Sequence, residues 1–543
     1  MLKNVLPILS FPLFCLNINA QSSALEVYKI FETKCISCHD HASPEAGMDL
    51  EGTGATPEQR AINVATQLLN ATPTNSHAQA KGYKRIYPGR PDRSLLFRKI
   101  NNGFEPYLEP LHANEGGSMP AYPQPGGALT DLEKEVIRQW ILFGGKSTGT
   151  QFSKAVLEEF YSGNGEKSFP DGPPPAPAPG EGFQLKMGPF YLAADGEVEY
   201  FQKYELQLPE NVEVNRMDML ISPYSHHFLA YNFLSASGAN AIPHGLRLNS
   251  YHNDINLVAA IQEKTDLRLP QGTAFRWDKN IVLDLNAHYI NYLLTRPYQC
   301  EVYVNVYTQP PGTAAQEMKA ALLVNGLINI PNNGNTITHS KAEFQFGADS
   351  LYIWGLMGHT HKYGTGYKVW KRLVNGQKGE LIYDASCPLG VPGCPAPQFD
   401  YQHIPLHYWE PQLLPVKWSN GIIHEATWVN DGPQSVQFGP TSDDEMMVLI
   451  VFYTESQIAV STGEPDMALR PLAVFPNPTA GRAWVQIPDA QEVRLLRLFD
   501  LAGKEVLRQT NLQINPIELD LTALPKGMYW LDADGRKGKL VVY

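Results

Sequence analysis

His359 and His361, one residue apart in Gly358-His359-Thr360-His361-Lys362-Tyr363-Gly364, are the first pair of side chains here that can do chemistry together. On an extended segment side chains alternate with period two, so both imidazoles face the same way and can reach one metal ion. The run before them, Leu351-Tyr352-Ile353-Trp354-Gly355-Leu356, is apolar and aromatic, as a buried strand is. A His-x-His alone is weak, but other groups accompany it. His226-His227 and a single His288, in Leu285-Asn286-Ala287-His288-Tyr289, lie upstream, and Ser442-Asp443-Asp444-Glu445-Met446-Met447 lies downstream. The vicinal pair carries a condition. Neighbours on an ideal strand point to opposite faces, so for His226 and His227 to hold one ion a twist or bulge must intervene, or the two rings must use different nitrogens.

A second constellation is Cys35-Ile36-Ser37-Cys38-His39, the C-x-x-C-H pattern of covalent c-type haem attachment. Two thiols add to the haem vinyl groups, and His39 is placed as the proximal iron ligand. Met48 and Met119 are the candidate distal thioethers. Met119 is preferred because Gly117-Ser118-Met119-Pro120-Ala121-Tyr122 forms a Gly/Pro loop just before a helix, as in cytochromes c; Met48 is read as packing.

The order His-His, His-Tyr, His-Thr-His and Asp-Glu-Met, over roughly residues 182 to 455, resembles the copper type II, ascorbate-dependent monooxygenases. That family includes peptidylglycine alpha-hydroxylating monooxygenase and dopamine beta-monooxygenase. The resemblance implies two β-sandwich domains with one copper each. His226, His227 and His288 would hold an electron-transfer copper, and His359, His361 and Met446 the catalytic copper that meets dioxygen. One departure bears on substrate. Peptide-amidating members anchor a peptide carboxylate with an Arg two places before the His-x-His and an Asn and a Tyr just after the ligand Met. Here Met357, Val448 and Ile450 stand at those places. No guanidinium fork is present for a carboxylate, so the pocket is expected to be apolar and a peptide C-terminus is not the expected substrate.

The elements that must position these groups follow from the rest of the chain. At 543 residues it is too long for one core. Charged residues make up 18%, with 44 Gly and 43 Pro, which suits β-rich domains joined by turns. A formal net charge of −12 argues against a nucleic-acid partner. No apolar run after the N-terminus is long enough for a spanning helix. Residues 1–20 read as a signal peptide, with Lys3, an apolar core from Val5 to Leu16 that includes Cys15, and cleavage after Asn19-Ala20.

Residues 24–147 resemble a cytochrome c domain. Val27, Ile30 and Phe31 stand at helical spacing before the haem motif. The closing helix has a capping box at Thr130 and Glu133 and an apolar face of Leu132, Val136, Ile137, Trp140 and Ile141. Residues 148–181 hold a short helix and a Pro-rich run, Pro173 to Pro179, expected as an extended spacer of about 3.1 Å per residue. Residues 182–308 and 309–455 are the first and second copper domains, divided near Gln309-Pro310-Pro311-Gly312. Residues 469–543, with Val474-Phe475-Pro476-Asn477-Pro478 and a closing Lys539-Leu540-Val541-Val542-Tyr543, resemble the sorting domain of the type IX secretion system, a small Ig-like β-sandwich. Cys387 and Cys394 are expected as a disulfide in an oxidising compartment, leaving Cys300 single.

The fold class expected is therefore multidomain: an α-helical cytochrome c domain, two β-sandwich copper domains, then the Ig-like tail. The expected function is an exported copper-dependent monooxygenase that hydroxylates a C–H bond of a small organic substrate, with two copper ions and one covalent haem c as cofactors. Its partners would be dioxygen, an external reductant (ascorbate-like or a redox protein) and the export machinery, at the surface of a Gram-negative bacterium or beyond. The competing reading is an electron-transfer or copper-binding surface protein without hydroxylation.

Overall fold

The computed structural model describes residues 21–458 and 472–543, apart from 102–109, 122–126, 223, 253, 262–264, 387–398, 402–403, 440–442, 488–492, 501–503, 513–515 and 534–535. The signal peptide and the Cys387–Cys394 disulfide fall outside the described residues. The chain divides into two compact units, Met1–Ile458 and Ala459–Tyr543.

In the first unit four helices matter here: α1 (Ser23–Lys34), α2 (Pro57–Leu68), α3 (Leu95–Asn101) and α4 (Asp131–Leu142). The Ser22 hydroxyl accepts from Leu25 N and starts α1, which buries Val27, Tyr28, Ile30 and Phe31. Thr130 and Glu133 close the capping box on α4. These helices share an apolar core built around Phe31, Leu68, Phe97, Ile137 and Trp140.

The strands used below are β1 (Gly182–Leu192), β2 (Glu197–Glu205), β3 (Ser225–Phe233), β4 (Ile255–Ile261), β5 (Val282–Ile290), β6 (Tyr298–Gln309), β7 (Lys319–Val324), β8 (Ser350–His359), β9 (Gly364–Arg372), β10 (Ile422–Val429) and β11 (Val448–Thr454). One ten-stranded sheet runs, through its centre, β8-β11-β7-β4-β3-β5-β2, with every neighbouring pair antiparallel. A seven-stranded sheet carries β1 and β6, and a four-stranded sheet carries β9 and β10.

This architecture corrects the expected fold class. Strands account for 41% of the chain and helix for 16%, the helices being short. No separate α-helical cytochrome c domain forms at the N-terminus. The physical reason lies on α4, whose buried Arg138 and Gln139 both donate to the carbonyl of Pro189 on β1, so the helix is covered by the β layer. Phe143 extends this contact, its ring 5.3 Å from that of Tyr200 on β2. Nor are there two independent sandwiches. The ten-stranded sheet takes β2, β3, β4 and β5 from before residue 309 and β7, β8 and β11 from after it, joined where Ala320 pairs with Leu257. The Pro-rich run is held down as well. Pro174 and Pro175 carbonyls accept from Gln184 on β1 and Asn305 on β6, at 3.1 and 3.0 Å, so it lies along the sheet and is not a free spacer.

The second unit has its own core around Val485, Leu496, Leu498, Leu519 and Leu540. It is built from a three-stranded and a four-stranded antiparallel sheet.

Candidate metal centre

The cross-strand register accounts for the site. On β5, His288 pairs with His227 and Tyr289 with Ser225, so the ladder steps over His226. This is the bulge that the vicinal pair needs. The extra residue re-aims one ring, and the rings of His226 and His227 come to lie 5.4 Å apart. Further along the same sheet, β8 ends at His359, and His361 follows just before the turn into β9, its ring 5.2 Å from that of His359. In a flat sheet the four spacings between β8 and β3 would separate their backbones by about 19 Å. Yet the rings of His227 and His359 are 5.5 Å apart, so the sheet curls until its two histidine groups meet.

All five histidines are buried. Ligand nitrogens of His226, His359 and His361 lie within 4.8 Å of one another. The sets expected to hold separate ions are thus brought into one cluster, with the His226 ring 5.0 Å from His288 and 5.8 Å from His361. Met446, on the segment entering β11, lines a cavity together with His227 and His359.

Two of the outer nitrogens are anchored by hydrogen bonds and a third faces a carboxyl group. His288 Nε2 meets Glu197 Oε1 at 2.7 Å, His227 Nε2 lies 3.8 Å from Glu199, and His361 Nδ1 faces the carbonyl of Asp444 at 3.2 Å. The opposite nitrogens, His227 Nδ1, His288 Nδ1 and His361 Nε2, are buried and make no hydrogen bond. An imidazole fixed by one nitrogen while the other waits unsatisfied is the arrangement of a metal ligand with its supporting shell, and leaving such a group unmet costs about 1–3 kcal/mol. These residues fit copper. Burial, then the neighbouring rings, holds His227 and His359 well below the usual imidazole range. Burial, then His288, holds His361 at about 4. Burial thus favours the neutral form of His227, His359 and His361, the form that ligation requires.

Glu445 organises the loop that carries His361. Its buried carboxylate accepts from the backbone N–H of His361 (2.9 Å), Tyr363 (2.7 Å) and Met446 (3.2 Å) and from the indole of Trp428 (2.8 Å). Burial raises its pKa although each of these donors lowers it. Sequence reasoning quoted Glu445 without giving it a role, and it missed Glu197 and Glu199. The signal was present in Glu197-Val198-Glu199, whose period-two spacing mirrors the His-x-His.

Beside the cluster a cavity of about 120 Å³ is walled by Leu229, Leu322, Val324, Met357, Val448 and Ile450, with Glu199, Asn286 and Tyr231 joining the two imidazoles as its polar members. Met357, Val448 and Ile450 stand where the family resemblance would place a carboxylate anchor. Such a volume is comparable to the roughly 150 Å³ that admits benzene.

A separate apolar cleft is lined by Phe31, Cys35, Cys38, His39, Met48, Met119 and Ile137. His39 Nδ1 meets the carbonyl of Met48 at 3.1 Å, which turns Nε2 into the cleft for a proximal ligand. Both cysteines are unpaired thiols, and burial pushes that of Cys35 up to about 12. Both thioether candidates line the cleft. Cys300 is a core residue of β6, its thiol 3.8 Å from the carbonyl of Tyr298. Of the other histidines, His252 meets Asp284 at 2.6 Å and His424 meets the Tyr367 hydroxyl at 2.7 Å, while His77 and His112 stack on each other at 4.3 Å. His403 lies outside the described residues.

Residues 473–542 match the family model of the secretion system C-terminal sorting domain. The tail is a type IX sorting domain. The protein is secreted or displayed at the surface of a Gram-negative bacterium. Among the described residues no helix is long and apolar enough to cross a membrane. No curated protein matches the chain. Among solved structures, two of Parabacteroides merdae β-glucuronidase, one with glycerol in its active site, align at 7% identity and TM-score 0.09 over 44% of this chain and 30% of theirs. The chain thus spans under a third of the protein it aligns with, and the likeness is too slight to inform fold or function.

Proposed function

We propose that the protein is an exported copper-dependent monooxygenase that hydroxylates a C–H bond of a small, largely apolar molecule, with electrons delivered through a covalently bound haem. The observation that carries this reading is five buried imidazoles and a thioether gathered beside a largely apolar cavity of about 120 Å³. The overall change is R–H + O₂ + 2e⁻ + 2H⁺ → R–OH + H₂O. Copper, when bound by His226, His227, His288, His359, His361 and Met446, supplies single electrons and a site for dioxygen. The chain does the rest. Glu197, Glu199 and the Asp444 carbonyl orient the rings, and Glu445 fixes the His361 loop. The apolar walls keep water from the reacting carbon. Cys35, Cys38 and His39 would hold the haem, with Met119 as distal ligand. The absence of any fork of guanidinium donors among the cavity-lining residues fits a neutral or aromatic substrate better than a carboxylate.

The test is a substrate screen under ¹⁸O₂ with the copper- and haem-loaded protein, scored by mass spectrometry. Label in a hydroxylated product is the expected result. Oxygen consumption with no labelled product across small aromatic and aliphatic molecules would favour an electron-transfer role.

A further inference from the structure

The resemblance to copper type II monooxygenases implies two separate copper sites, and the geometry departs from it. We infer that the five histidines and Met446 form one dinuclear copper centre, in which His226 belongs as much to the His359–His361 group as to its own strand neighbours. This rests on the copper reading above and concerns how the ions are held.

Ring distances carry the argument. His226 lies 5.4 Å from His227 and 5.5 Å from His359, so proximity does not divide the cluster into the two expected triads. The close group of ligand nitrogens is His226, His359 and His361, which joins strands four spacings apart in the curled sheet. An ion there leaves His227 Nδ1 and His288 Nδ1 buried and still without a hydrogen bond. Their rings, 5.1 Å apart, sit against the same group, with His227 5.5 Å from His359 and His288 6.4 Å from His361. Orphaned donors beside an occupied site call for a second ion within the same shell. Six soft or borderline donors, counting the Met446 thioether, give three to each of two ions, a low coordination number that suits Cu(I). The charge balance agrees. Glu197 on His288, Glu199 near His227 and Glu445 behind His361 place three carboxyl groups around the cluster, available to offset part of the charge of two bound ions. The consequence is functional, because both electrons needed for one turnover are then stored at one place, with no transfer between distant coppers.

The experiment uses the full-length haem-loaded chain, titrated with Cu(II) and compared with its copper-free form. Copper is counted by mass spectrometry, its oxidation state by the X-ray absorption edge, and its unpaired spins by electron paramagnetic resonance. Two coppers per chain, a Cu(II) spin count well below the copper count and a half-field transition are expected. His226→Ala should abolish the half-field line and weaken the copper held by His359 and His361, with circular dichroism reporting whether that variant folds. A wild-type spin count equal to the copper count with no half-field line, or saturation at one copper, would overturn the inference. Uncoupled coppers in a protein that yields ¹⁸O-labelled product sink this inference alone. A coupled pair without labelled product sinks the hydroxylase reading alone.

Discussion

At the scale of single residues, Glu445 and His361 carry the sharpest expectations. Four N–H donors converge on one buried carboxylate, and three of them belong to the backbone around two proposed ligands. Glu445→Ala strands those donors, and at about 1–3 kcal/mol for each buried unsatisfied group a loss of roughly 3 kcal/mol or more is expected. Urea unfolding of the metal-free protein measures it, and copper affinity should fall in the same variant because the His361 loop is released. His361 also predicts a pH dependence. Burial holds its folded pKa at about 4, below the ordinary imidazole value of 6.5. As pH drops from about 6.5 towards 4 the unfolded chain takes up a proton that the folded chain refuses, so the metal-free protein loses stability across that window, by on the order of 3 kcal/mol from this group. Thermal unfolding against pH should show a shallower slope in His361→Ala. An unchanged slope would refute the burial argument.

At the scale of elements, the site depends on two local irregularities in otherwise regular strands. The ladder between β3 and β5 steps over His226, and β8 ends on His359, with Gly358 packed closely over Tyr367 of β9. Gly358 is what permits that packing. A Cβ there would stand 2.5 Å from the ring of Tyr367, which is fully buried. Gly358→Ala should therefore cost about 1–3 kcal/mol by overpacking. It should also displace His359, read as weaker copper binding in a competitive chelator titration; wild-type affinity in a destabilised protein would separate the packing effect from the site. The bulge was legible as a requirement, since period-two alternation forbids two adjacent ligands on one face. Where the ladder would slip was not, because that depends on how β5 pairs.

At the scale of the whole molecule, the tail and the remainder have separate cores. A chain ending at Ile458 should keep its copper and haem and its unfolding transition. In its native host it should stall in the periplasm, so the truncated form appearing at the cell surface or in the medium would refute the sorting role. The helical region raises a second expectation. It is joined to β2 through Phe143 and Tyr200 and through the Tyr87 hydroxyl, which donates to Glu205 at 2.6 Å. The same strand carries Glu197 and Glu199 to the histidines. Ferrous-haem protein loaded with Cu(II) should therefore oxidise its haem in step with copper reduction when mixed without oxygen. Haem oxidation that is unchanged when copper is left out would end the idea.

What the sequence determined by itself were the groups with local spacing. Cys35, Cys38 and His39 lie within five consecutive residues, His359 and His361 are fixed by strand alternation, the capping box on α4 is set by Thr130 and Glu133, and the sorting tail is marked by its own run of motifs. Each depends on contacts within a few residues, where bonding geometry leaves little choice. Tertiary structure decided what long-range pairing controls. That β7 would pair with β4 and join the two halves into one curled sheet is written in no local pattern, because one strand's alternation names a buried face but not the strand that will cover it. The same pairing brought His226 to His359 and His361, set Glu197 and Glu199 behind the rings, and drew the N-terminal helices onto the β layer. Motif order along the chain set two groups of histidines apart, and the closure of the sheet brought them side by side.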